Sequence, residues 1–292
     1  MVIEQGMGVR ESDLPWVDIA VRPGYKQRYQ GFYDSAKRLG LRIGSLYADR
    51  YYLSPRHRHT FQQVRFLVKG KMRYGKEIYN PGDCLYIPEG TYYGPITPVD
   101  GKDGGVDQMH FVDMQFEGPS GIPYPEPDAV VDAQRALTKK GTFEEGVYTY
   151  DTGRKRDAYE AILEELTGKP VEYPPSRLDT YVVMRSGRYP WIDSEFPGVK
   201  VRRMGYFFEC GPNIQMLQME AGRRLPANTP SGHRAMFLLT GKVRFSGQEF
   251  EPFSYFVLPD GTPYDAIEAL ETSDLLAIGW TLPGKTVPLA LF

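Results

Sequence analysis

The stretch RFLVKGKMRYGKEIYNPGDCLYIPEGTYY, residues 65–93, occurs a second time in the same chain. Shifted by 171 positions it falls, without a gap, on MFLLTGKVRFSGQEFEPFSYFVLPDGTPY, residues 236–264. Ten of the 29 positions are identical, among them Gly70/Gly241, Pro88/Pro259, Gly90/Gly261 and Tyr93/Tyr264. An upstream echo joins PWVDIAVRPGYKQRYQGF (15–32) to PWIDSEFPGVKVRRMGY (190–206) after a one-residue indel. Two collinear blocks with shared Gly and Pro positions mark an internal duplication, one copy over about 10–118 and the other over about 185–290.

Each copy reads as β-structure. RFLVKGKMRYG and MFLLTGKVRFSG are strand–turn–strand with Gly70 and Gly241 at the turn, and DCLYIPEG and SYFVLPDG are apolar strands stopped by Pro-x-Gly. Between the copies the period changes to that of helices. Residues 127–141 carry Asp128 at an N-cap position and Gly141 as a stop, and residues 157–170 carry an Ala158/Ile162/Leu163/Leu166 stripe ended by Gly168 and Pro170. The stripes are expected to be packing surfaces.

Composition sets the outer limits. The 292 residues are 41% hydrophobic and 25% charged, which describes a soluble globular protein. The 35 basic residues against 37 acidic argue against a general nucleic-acid binder. The N-terminus has no basic and apolar leader pattern, and no apolar run approaches a membrane span, so a cytoplasmic protein without membrane partners is expected. Cys84 and Cys210 are two isolated cysteines, consistent with a reducing setting and no disulfide framework. Cys84 reads as a small buried hydrophobe.

The spacing His57-x-His59-x3-Gln63-x6-Gly70, followed by Gly82-x5-Pro88-x-Gly90-x2-Tyr93, resembles the two signature motifs of the cupin superfamily. The resemblance covers both copies. It implies a mainly all-β chain of two jelly-roll barrels, a bicupin, with an N-terminal barrel over 1–120, a helical linker over 121–184 and a C-terminal barrel over 185–292. The PW(V/I)D…PG segments also resemble, over a short stretch, a subset of cupins that includes diketone- and acyl-phenol-cleaving oxygenases.

In that family a metal is held by two His and a Glu from the first motif and a His from the second. His57 and His59 match; Gln63 replaces the Glu with a weaker amide donor, and Tyr93 replaces the His with a phenol whose ordinary pKa is about 10. In the C-terminal copy the same positions are Asn228, Pro230, Arg234 and Tyr264, so that barrel is expected to be metal-free, either a structural partner or an anion pocket. His233 should face outward. His110, in DQMHFVDMQFEG, completes a metal site only if His110, Val112 and Met114 point inward; if Met109, Phe111, Asp113 and Gln115 do, it does not.

Arg65 shares the parity of Gln63. It is either solvent-facing or an inward guanidinium for a substrate carboxylate or enolate. His57, His59, Gln63 and His110 are thus the candidate ligands of a divalent transition metal in the N-terminal barrel only, iron first, with nickel, copper or zinc as alternatives. Tyr93 and Arg65 are the candidate catalytic residues. The expected function is a metal-dependent oxygenase acting on a small carbonyl or phenolic compound. A metal-free isomerase or cyclase using His57 and Tyr93 as base and acid is the alternative, and a non-catalytic small-molecule binder is the third reading. By resemblance, a homodimer paired through edge strands is also expected.

Overall fold

The computed structural model describes residues 4–18, 24–34, 37–99, 108–118, 125, 127–144, 146–173, 175–282 and 284–288. Part of the upstream echo (19–23) and the expected junction near 120 lie outside them.

Two seven-stranded antiparallel sheets dominate the molecule. In the N-terminal half the strand order is Val182–Arg185, Asp83–Ile87, Phe61–Lys69, Gln108–Glu117, Leu39–Asp49, Tyr25–Asp34, Val17–Asp18. In the C-terminal half it is Met7–Val9, Tyr255–Leu258, His233–Thr240, Ser273–Trp280, Asn213–Met219, Val199–Tyr206, Ile192–Asp193. Smaller sheets form the other wall of each barrel: Met72–Tyr74 between Glu77–Tyr79 and Ile96–Pro98 in one, and Val243–Phe245 with its neighbours in the other. The turn after His233–Thr240 needs its glycine. Gly241 has φ +80, and a Cβ there would stand 2.3 Å from the Thr272 carbonyl oxygen.

One outermost strand of each large sheet comes from outside its own copy. Met7–Val9, ahead of the first copy, pairs with Tyr255–Leu258, and Val182–Arg185, ahead of the second, pairs with Asp83–Ile87. The two halves therefore cover each other's sheet edges, which would otherwise expose unpaired backbone groups.

Alternation along the strands serves two cores. In the first half Val64, Phe66, Val112, Met114 and Phe116 join Ala235, Phe237, Leu276, Ile278 and Trp280 of the second in one cluster between the sheets. The opposite parity fills the barrels, with Leu67, Leu85, Met109 and Phe111 in one and Met236, Leu238, Leu275 and Ala277 in the other. Strands buried on both faces need apolar residues at both parities, which explains runs such as FLLT.

The linker holds α1 (Pro127–Leu137) and α2 (Ala158–Thr167) as expected, and between them a three-stranded sheet that the helical reading did not anticipate, Gly141–Glu144, Val147–Tyr150 and Lys155–Asp157. Asp128 lies in the first turn of α1, and Gly141 opens a strand. Asp157 caps α2, its carboxylate accepting from the Tyr159 and Glu160 amides, and Gly168 closes the helix at φ +66. Ala133, Leu137, Tyr148, Ala161 and Ile162 give this segment its own small core.

His110 lies on the face between the barrels, 3% exposed, stacked on Tyr47 at 4.5 Å and against Phe253 of the other half at 4.5 Å. Its Nε2 has no hydrogen-bond partner among the described residues. His233 occupies the same face of its own strand, beside Trp280, with Nδ1 accepting from the Asp260 amide at 3.1 Å. Burial lowers the pKa of each from 6.5 to about 4. The unfolded chain therefore takes up two protons near pH 6.5 that the fold refuses until about pH 4. Stability is full above pH 6.5 and falls as pH drops through that window, by about 3 kcal/mol per histidine. Urea unfolding at pH 7 and pH 4.5 should show this loss, and His110→Phe should remove its share; an unchanged pH dependence in that variant would refute the assignment.

Candidate functional site

The chain enters the N-terminal barrel through SPRHRHTF, residues 54–61. His57 forms an isolated antiparallel bridge with Tyr93, and the His59 carbonyl accepts from the Gly90 amide at 2.8 Å, so the two motifs are laced together by backbone. The imidazoles of His57 and His59 are partly buried with ring centroids 4.8 Å apart, and the Tyr93 ring lies 4.3 Å from His57. His57 Nδ1 stands 2.6 Å from the Pro55 carbonyl oxygen. Only a protonated Nδ1 can donate to that oxygen, and in the neutral ring this tautomer puts the lone pair on Nε2.

Below the histidines, the inward parity of Phe61–Lys69 presents Gln63 and Arg65, and that of Gln108–Glu117 presents Asp113 and Gln115. The Asp113 carboxylate is fully buried and accepts from four side chains: Tyr29 hydroxyl at 2.6 Å, Gln63 Nε2 at 2.8 and 3.0 Å, Arg65 Nε at 2.9 Å and Gln115 Nε2 at 2.5 Å. Arg65 Nη1 donates to the Tyr74 hydroxyl at 2.9 Å, and the Tyr93 hydroxyl donates to Gln63 Oε1 at 3.0 Å. Burial pushes the Tyr93 and Tyr29 phenols well above their ordinary range and Tyr74 up to about 12, so all three keep their protons. Burial works against the Arg65 charge, but Tyr74, Asp113 and Tyr93 outweigh it and the guanidinium stays protonated.

The structure thus brings His57, His59, Gln63, Tyr93 and Arg65 together and leaves His110 apart. Because Met109, Phe111, Asp113 and Gln115 hold the inward parity, the His110 ring points to the neighbouring barrel, away from the pair. Asp113, Tyr29, Tyr74 and Gln115 belong to the site although the motif spacing did not single them out as site residues. The alternation of DQMHFVDMQFEG carried the signal for two of them.

The linker contributes as well. Tyr159, in the first turn of α2, meets the His59 ring edge-on at 5.0 Å, while Phe61 stacks on that ring at 4.4 Å. Arg58 pairs with Glu160 at 3.4 Å and lies over the Tyr173 ring at 3.7 Å. Thr91 and Ser176 share a hydroxyl hydrogen bond at 2.7 Å. The segment therefore caps the mouth of this barrel at the histidines.

The second barrel repeats the framework without the imidazoles. Asn228 bridges Tyr264 as His57 bridges Tyr93, and the Pro230 carbonyl accepts from the Gly261 amide at 2.9 Å as that of His59 does from Gly90. Arg234, the counterpart of Gln63, is 5% exposed, and its strand parity aims it inward. A cavity of about 590 Å³ opens at this mouth among Asn228, Thr229, Ser246, Tyr264 and Asp265.

A resident metal does not fit the N-terminal residues as they stand. A stable site takes three or four protein donors. Here Gln63 turns its carbonyl to Tyr93 and its amide to Asp113, Tyr93 is a neutral phenol, and a guanidinium is paired to the one carboxylate. Among the described residues no three His, Cys, Asp or Glu side chains converge on one point.

No protein-family model matches the sequence, and no curated protein does. Solved structures match throughout its length. A dioxygenase candidate from Nostoc punctiforme aligns over 97% of this chain and 85% of its own, at 12% identity and a TM-score of 0.64. A candidate glyoxylate-induced protein from Pseudomonas aeruginosa aligns over 100% and 94%, at 13% and 0.58. Oxalate decarboxylase from Bacillus subtilis, a protein with Mn(II) centres, aligns over 96% and 78%, at 15% and 0.59. At such identities the likeness is one of fold.

Removing one partner of the buried Arg65–Asp113 pair should cost about 3–5 kcal/mol, because the other charge is stranded. Arg65→Met and Asp113→Asn are each expected to show that loss in chemical denaturation, and the double variant to recover much of it. Additive losses would mean the pair is not coupled.

Proposed function

On the bicupin fold that this chain adopts, we propose that the N-terminal barrel is the active half of a small-molecule enzyme, working by proton transfer at the His57–His59 pair on a carbonyl or phenolic compound. The observation that carries this reading is the engagement of Gln63 and Tyr93 with each other and with the Arg65–Asp113 pair, beside a His57 ring whose Nδ1 is directed to the Pro55 carbonyl. It favours isomerase- or cyclase-type chemistry over the metal-dependent oxygenase implied by the family motifs.

In this scheme the Nδ1–H bond to Pro55 keeps the His57 lone pair on Nε2, the base. It removes a proton from the carbon next to a carbonyl, and the electron pair moves into an enolate. His59, as imidazolium, returns a proton to the enolate oxygen or to a neighbouring carbon. One proton leaves the substrate and one comes back, so no oxidant is needed, and exchange with water resets the pair. Tyr93 is a positioning residue here, its ring against His57 and its hydroxyl held by Gln63. Tyr159 and the Arg58–Glu160 bridge shield the enolate from water.

The test is deuterium incorporation from D2O into a panel of α-hydroxyketones and β-ketoacids, followed by NMR. Exchange should persist in the presence of a chelator and fall by about 10²-fold or more in His57→Gln. Turnover that needs oxygen and is abolished by the chelator would replace this reading with the oxygenase. Binding without exchange would reduce the protein to a receptor.

A further inference from the structure

We infer that Arg65 holds the place of the resident cation in this barrel and is the receptor for an anionic oxygen, a carboxylate or enolate, on the bound compound. The inference rests on the N-terminal barrel being the ligand-binding half, as proposed above, and adds the class of ligand.

The two members of the ion pair are unequally buried. Asp113 is completely enclosed, and both its oxygens accept hydrogen bonds. The Arg65 side chain keeps 8% of its surface open. Its Nε is given to Asp113 and its Nη1 to Tyr74. Its Nη2 has no hydrogen-bond partner among the described residues, yet it is not among the buried polar atoms left without a partner, so the open surface includes this nitrogen. The carboxylate is screened while one edge of the guanidinium still carries unused donors.

That edge lies on the inner parity of the barrel, with the guanidinium carbon 5.7 Å from the Tyr93 ring centre and 5.3 Å from that of Phe111. The rings hold the guanidinium in place, and its donor edge suits an anionic oxygen, whose charge meets Nη2. The neutral phenol Tyr74, which accepts from Arg65, adds a donor, and neither it nor Tyr93 brings a competing negative charge. A metal ion in such a barrel would attract the same ligand atoms. The guanidinium supplies the attraction with fixed hydrogen-bond directions and no exchangeable coordination sites. An enolate formed at His57 would be stabilised by the same edge, linking binding to the proposed chemistry.

The probes are benzoate and its neutral isostere benzamide, titrated calorimetrically into the intact chain. Wild type should prefer benzoate by about tenfold or more, corresponding to one charge-assisted hydrogen bond. Arg65→Met/Asp113→Asn, which removes both charges and so avoids a stranded one, should bind the two probes equally. His57→Gln should keep the preference, which separates this inference from the proton-transfer scheme. A preference without deuterium exchange leaves the Arg65 receptor standing and removes the isomerase reading. Equal affinities in wild type, a preference that survives the double variant, or no binding of either probe at millimolar concentration would overturn the inference.

Discussion

The buried contact between Arg65 and Asp113 organises the N-terminal barrel. A carboxylate and a guanidinium in a barrel core are costly to desolvate, and they persist only with every lone pair engaged. Asp113 meets that demand through Tyr29, Gln63, Gln115 and Arg65, drawn from three strands of one sheet. The arrangement sets what the adjacent groups can do. With its amide committed to Asp113, Gln63 offers its carbonyl to Tyr93, and Tyr93 in turn braces His57. The histidines inherit their position from the ion pair through two intermediate side chains.

The rest of the molecule keeps that arrangement rigid and covered. The sheet bearing Arg65 and Asp113 is packed on its outer face against the second barrel, so Val64 and Phe66 anchor the strand from behind while Gln63 and Arg65 project forward. Each sheet also takes one edge strand from outside its own copy. Neither barrel could separate from the other without losing both the shared core and an edge. The linker then caps the mouth through Tyr159, Tyr173 and Glu160. The second barrel, with Arg234 and Asn228 at the duplicated positions, shares the backbone lacing of the first without the two imidazoles at those positions.

Much of this was legible in the residues. The 171-position repeat announced two copies of one barrel, and the duplication extends to matching backbone bonds at Gly90 and Gly261. Strand parity alone aligned Arg65 with Gln63. Two things were not legible. His110 sits at a register irregularity between Gln108–Glu117 and Phe61–Lys69, and alternation cannot decide a face where pairing slips by one residue. The role of Asp113 was hidden for a related reason: a carboxylate in an alternating strand is usually solvated, and only the three-dimensional meeting with Arg65, Tyr29 and Gln63 explains its burial. The hairpin at 141–150 was masked by the helical signals on either side of it, although Gly146 and the Val147–Tyr150 run mark a turn and a strand.

On this reading an arginine–aspartate pair, in place of an ion, occupies the heart of the barrel. The most direct measurement is anomalous-scattering crystallography on crystals grown with Mn(II) and, separately, with Fe(II). The expected map has no ordered ion beside His57 and His59 and keeps the Arg65–Asp113 hydrogen bond intact. An ordered ion bound by both histidines and Gln63, with Arg65 turned away from Asp113, would contradict the account and restore the metal site that the motif spacing implies.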